Sequence, residues 1–233
     1  MAGRPRVASS AKRTTGGETR PGEASNPGPA VSKARVAIFR NTSDSYGFVP
    51  IVIHWAVAVA VVGLFALGWW MVELDYYSKW YKTAPDVHKS VGVLLFCVMV
   101  LRAAIRGFSG APTPVPGTRA WERRAAHGVH LGLYALIFAA CVAGYLISTA
   151  DGRPIPVFGW FEVPATVTAI PNQEDVMGDV HLVIAIAILA IAALHALAAL
   201  KHHIVDRDAT LARMVGRMAA APRSGPTVSE HRT

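Results

Sequence analysis

Hydrophobic residues in this chain gather into four blocks, at 48–74, 91–105, 129–147 and 180–200, with polar, Gly- and Pro-rich stretches between them. They are not spread as a soluble core would spread them. About 20 apolar residues carry a helix across a bilayer, and three of the blocks are long enough to cross unaided. The second holds only about 15 and must borrow neighbours from His88 to Arg106, so its polar ends sit at the interface. The pattern predicts an all-α membrane protein. Four transmembrane helices, at about 48–74, 86–107, 127–148 and 179–201, run up and down as a bundle within a membrane domain at 44–218.

The flanking segments read differently. Residues 1–43 are rich in Gly, Pro, Ser, Thr and Arg and cannot bury a core, which predicts a disordered N-terminal extension. It is not a secretory signal, because its first long apolar run begins too late. Residues 219–233 are expected to be a disordered tail. The link ELDYYSKWYKTAPD holds Tyr76, Tyr77, Trp80 and Tyr81, an interfacial aromatic belt. The link at 149–178 is rich in Pro and Gly and is expected to fold over the outer mouth of the bundle as a short surface helix. After the fourth span, DRDATLARMVGRM puts Leu211, Met214, Val215 and Met218 on one face, an amphipathic segment lying on the inner membrane surface.

Charge sets the orientation. Arg4, Arg6, Lys12, Arg13, Arg20, Lys33, Arg35 and Arg40 precede the first span. Arg106, Arg119, Arg123 and Arg124 lie between the second and third, and six more Lys or Arg follow the fourth. The other two links hold Lys79, Lys82 and Arg153. Both termini are therefore expected in the cytoplasm. The net charge of +8 reflects this bias rather than a nucleic-acid surface, and no nucleic acid is expected. Cys97 and Cys141 fall inside spans, where a thiol is a small apolar residue, so neither a disulfide frame nor a zinc site is signalled.

The candidate chemistry lies in the histidines. His181 and His195 are fourteen residues apart in one apolar run. That spacing puts them on nearly the same face of one helix, about 21 Å apart along its axis. They suit two stacked metal cofactors better than one. Ionisable residues inside a membrane are functional by default, and neutral imidazole is a common ligand of haem iron. His54 matches His195 in depth on the inner side, and His88 matches His181 on the outer side. Two bis-imidazole sites follow. His127 and His130 enter the third span on the inner side and compete for the inner iron; His130 reads as a hydrogen-bonding neighbour and His127 as interfacial. His202 and His203 lie at the inner surface, either as interfacial residues or as groups that contact a quinone carbonyl or relay a proton. Ala56, Ala58, Ala60, Gly63, Gly68, Gly92, Gly132, Gly144 and the Ala-rich fourth span make room for close packing or for a porphyrin, as small residues do in membrane helices generally. No C-x-x-C-H attachment sequence occurs, so the haem is expected to be non-covalent and b-type.

The chain resembles the bacterial cytochrome b561 family. The resemblance rests on YGFVPIVIHW around His54, HKSVG from His88, HGVHLGLY entering the third span, and AGYLIST with DGRPIPVFG at its outer end. HLVIAIAILAIAALHALAALKHH and DRDATLARM complete it. It covers residues 44–218, leaving the first 43 as an extension outside it. It implies two haem b groups held by His54, His88, His181 and His195, and electron exchange with ubiquinone. It further implies, for some members, oxidation of superoxide at the outer haem and reduction of quinone at the inner one. The broader grouping implies a second role, a cytochrome subunit that anchors a partner dehydrogenase or hydrogenase and conducts its electrons to quinone.

Bis-histidine ligation leaves no open iron position, so chemistry is outer-sphere electron transfer at the haem edges, with no catalytic side chain. Propionates need cations: Lys89 and Arg153 are candidates outside, and Arg102, Arg106 and Lys201 inside. An anionic donor such as superoxide calls for a positive outer mouth. The outer links instead hold more acids than bases, namely Glu73, Asp75, Asp86, Asp151, Glu162, Glu174, Asp175 and Asp179. A small transporter that relays protons through its histidines is the non-redox alternative.

Overall fold

The computed structural model describes residues 41–42, 45–168 and 170–216. The expected N-terminal extension, apart from Asn41 and Thr42, and the expected tail lie outside the described residues, as does Met218.

Four helices dominate: α1 (Phe48–Met71), α2 (Thr83–Ser109), α3 (Ala120–Ser148) and α4 (Gln173–Ile204). All four are long and apolar enough to cross a membrane. At 24, 27, 29 and 32 residues they exceed the reading from hydropathy at several ends. At 1.5 Å per residue they run about 36 to 48 Å, against a hydrocarbon core of about 30 Å. In α2, α3 and α4 the surplus includes polar end turns, suited to lie outside the hydrocarbon. In α3 the extra turns are AWERRAA, started by Glu122, whose Oε2 accepts the backbone N–H of Arg119 at 2.9 Å. Pro85 sits in the first turn of α2, where no backbone donor is missed. Gly110, with φ of 67°, ends the same helix. Glu174 and Asp175 occupy the first turn of α4, and Lys201, His202 and His203 its last turn, each complementing the helix dipole.

Neighbouring helices pack as α1 on α2, α2 on α3 and α3 on α4, and α1 meets α4 to close the ring. Val57, Leu95, Met99, Ile137 and Ile188, one or two from each helix, form the buried centre. Many large apolar side chains point away from it, among them Val59, Trp69, Leu131 and Leu194, each more than 60% exposed. Such a surface is that of a lipid-facing bundle.

The α3–α4 link differs from the surface helix expected of it. It folds into a hairpin, β1 (Ile155–Val157) against β2 (Phe161–Val163), antiparallel with Ile155 opposite Val163. The physical reason is the β-branched run around Pro154 and Pro156 and the tight reversal at Phe158–Gly159, both with positive φ. Ser90 of α2 ties the hairpin down: its Oγ donates to the carbonyl of Pro156 (3.3 Å) and accepts the N–H of Phe158 (3.2 Å). This defines a hairpin end of the bundle. At the opposite end a short helix, α5 (Thr210–Met214), packs on α4. Trp55 Nε1 donates to the carbonyl of Met214 at 2.8 Å, so the amphipathic segment is also fastened to α1.

Candidate functional site

Two pairs of imidazoles lie inside the bundle. At the hairpin end His88 of α2 faces His181 of α4, with ring centroids 6.2 Å apart and planes at 68°. At the opposite end His54 of α1 faces His195 of α4, at 6.4 Å and 77°. All four rings are half-buried. A metal held at about 2 Å by one nitrogen of each ring sets two centroids a little over 6 Å apart. Both pairs have that separation. His130 of α3 approaches His195 more closely, at 5.0 Å, short of the separation the other two pairs share, and the residue is exposed. His127 is exposed as well.

The second ring nitrogens are treated differently at the two ends. His181 Nδ1 lies 2.9 Å from the carbonyl of Ala140. A carbonyl only accepts, so Nδ1 carries the hydrogen and Nε2 keeps a lone pair for a metal. His54 Nδ1 lies 3.0 Å from Nη2 of Arg102. A guanidinium only donates, so here Nδ1 is the acceptor. The same guanidinium stands over the ring of Tyr134 at 5.7 Å. His88 Nδ1 is buried without a hydrogen-bond partner among the described residues, a costly arrangement unless a ligand completes it.

Space is reserved around the hairpin-end pair. A cavity of about 1210 Å³ is lined by both rings and by Gly68, Gly92, Phe96 and Gly144. A Cβ at Gly68 would stand 3.2 Å from Cε1 of His88, and one at Gly144 would stand 3.3 Å from Cε1 of His181. These two glycines let backbone approach the imidazoles more closely than any side chain would. Room, paired nitrogen donors and an unpartnered ring nitrogen together fit a haem.

The remaining candidates are dispersed. Lys89 lines the cavity, its Nζ 3.1 Å from Asp86. Arg153 is exposed and paired with Asp151 at 2.9 Å. Arg106 reaches the carbonyl of Gly110. Lys201 binds Asp206 at 2.6 Å and approaches Glu122 at 3.6 Å, and its hydrogen bond holds the Asp206 carboxyl below its usual range. His202 Nδ1 lies 2.8 Å from Asp206 and 3.0 Å from Asp208; His203 is exposed. Sequence reasoning missed the residues that fasten the hairpin-end loop. Besides Ser90, these are Tyr145, whose OH meets the carbonyl of Pro164 and Oγ1 of Thr166, and Gln173, whose Nε2 donates to the carbonyls of Leu146 and Val167. All three are polar side chains in or beside apolar runs, and that was their one signal.

A family model described as prokaryotic cytochrome b561 matches residues 45–217. Cytochrome b561 homolog 2 of Escherichia coli (strain K12) is 47% identical over 182 residues, covering 78% of this chain and 97% of the relative. The probable superoxide oxidase CybB of Yersinia pestis is 31% identical over 175 residues, 73% of this chain and 95% of the relative. Cytochrome b561 homolog 1 of Escherichia coli (strain K12) is 28% identical over 171 residues, 72% and 94% respectively. With four apolar helices and the histidines paired between them, the chain belongs to the prokaryotic cytochrome b561 family, membrane cytochromes for which a b-type haem is implied.

Proposed function

We propose that this protein is a di-haem b cytochrome of the bacterial inner membrane, carrying electrons between the two membrane faces and the ubiquinone pool, with superoxide as the candidate donor. The observation that carries the reading is the pair of imidazole separations, 6.4 and 6.2 Å, at opposite ends of one bundle. His54 and His195 would hold one haem, His88 and His181 the other. When bound, haem supplies one-electron transfer through its edge, without an open position for substrate.

The chain's own residues set the conditions. The Ala140 carbonyl fixes the ring of His181. Val57, Leu95, Met99, Ile137 and Ile188 fill the space between the pairs and exclude water from the path. Arg102 is the cation nearest the opposite-end pair and Lys89 lines the hairpin-end cavity, the two candidates to meet propionates. Lys201, engaged by Asp206 and Glu122, is the weaker third. His202, against Asp206 and Asp208, would contact quinone and hold at Nδ1 a proton for its reduction. The hairpin end faces outward and the opposite end, which carries most of the cations, faces the cytoplasm.

Superoxide is supported by the name of the Yersinia pestis relative. The acid-rich links of the hairpin end favour a second reading, a subunit that takes electrons from a docked dehydrogenase rather than from a free anion. The first test is haem quantitation with reduced-minus-oxidised spectra on the wild type and on His54→Ala, His88→Ala, His181→Ala and His195→Ala. Each variant is expected to lose one haem equivalent. Retention of both haems in His54→Ala with loss in His130→Ala overturns the opposite-end pairing, and a protein that binds no haem overturns the whole reading. Stopped-flow mixing of the pure protein with superoxide, then ubiquinone, separates the two roles: reduction and reoxidation without a partner support the stand-alone enzyme.

A further inference from the structure

The two histidine pairs sit in opposite electrostatic surroundings. At the opposite end, Arg102 is half-buried in α2, with Nη2 3.0 Å from His54 and its guanidinium over Tyr134. It has no carboxylate partner among the described residues. At the hairpin end, the cavity that holds His88 and His181 is also lined by Glu73, Glu174 and Asp179, and by Asp151, whose carboxylate is paired with Arg153 at 2.9 Å. Lys89 lines it too, but its ammonium lies 3.1 Å from Asp86.

We infer that Arg102, through its fixed charge, makes the haem at the His54–His195 end the easier of the two to reduce, so that electrons entering at the hairpin end run downhill. The inference rests on the di-haem reading above. Reduction of a haem adds one electron to the centre, and a fixed positive charge nearby stabilises the product. The effect is strongest where little water screens it. Guanidinium stays charged at every accessible pH. The carboxylates of the hairpin end act in the reverse sense on the other haem, so both influences widen the gap in one direction. A ligating His54 ring carries its hydrogen on Nδ1. Arg102 then serves another acceptor, and its charge stays at this level of α2.

The test is a spectroelectrochemical titration of the full-length, haem-loaded protein, wild type against Arg102→Gln and Arg102→Lys. The single haem left in His88→Ala identifies the opposite-end step. The wild type is expected to titrate in two steps with the opposite-end haem uppermost. Arg102→Gln is expected to shift that step about tenfold toward the oxidised form, about 59 mV for one electron, with the lower step nearly unmoved. Arg102→Lys is expected to stay close to wild type. An unmoved upper step in Arg102→Gln, or a shift confined to the lower step, overturns the inference. So does a lysine variant that falls as far as the glutamine one, since charge is then not the cause. Should Arg102→Gln lose a haem, the lysine variant decides: an upper step held near wild type supports the inference, and one that collapses onto the lower step overturns it. A wild type with fewer than two haems is a separate failure, that of the di-haem reading itself.

Discussion

Among single residues, the four paired histidines differ less in position than in what their second nitrogens meet. One is oriented by a carbonyl, one faces a guanidinium, and one is buried with no hydrogen-bond partner among the described residues. The glycines show the same specificity. A side chain at Gly144 would meet His181 at 3.3 Å, whereas one at Gly63 would meet nothing within 4 Å. Gly144→Val is therefore expected to displace the ring and lose about half of the bound haem, the cost of overpacking falling on one site, while Gly63→Ala keeps both haems; pyridine haemochrome quantitation reads the difference. Equal haem in both variants would remove the glycine from the site. The positions of the histidines were legible from spacing alone. The carbonyl of Ala140 and the contact of Arg102 with His54 were not, because they join residues of different helices, 41 and 48 positions apart respectively.

For the elements, hydropathy located every span and underestimated most of their lengths, since a helix continues for as long as its backbone bonds are satisfied, with or without apolar side chains. The α3–α4 link escaped the sequence reading: three-residue strands leave too short a pattern to tell from a loop, and the hairpin stands on a serine from another helix. Ser90→Ala is expected to leave the Pro156 carbonyl and the Phe158 N–H unpaired, a cost of about 1–3 kcal/mol. Hydrogen exchange at Phe158 should then quicken about tenfold or more while haem content holds. Unchanged exchange would mean that the strand pairing alone secures the hairpin.

Across the whole molecule the two histidine pairs differ in charge: acids line the cavity of one, and an arginine stands beside the other. If the hairpin end faces outward, Trp160→Cys, made with Cys97→Ala and Cys141→Ala, is expected to react with an impermeant maleimide on intact cells. Pro116→Cys, in the α2–α3 link, is expected to react only after permeabilisation. The reverse pattern would invert the orientation read from the charges. By itself the sequence determined that this chain has four segments apolar enough to cross a membrane and that its histidines stand at two levels along them. Both follow from the cost of unsatisfied backbone and ionisable groups in lipid, and that cost is paid locally along each helix. Depth along the spans had already matched His54 with His195 and His88 with His181; the tertiary structure decided at what separation those rings stand, which cation lies beside which pair, and what covers the hairpin end. Those depend on helix rotation and on contacts between distant segments, which no local pattern encodes.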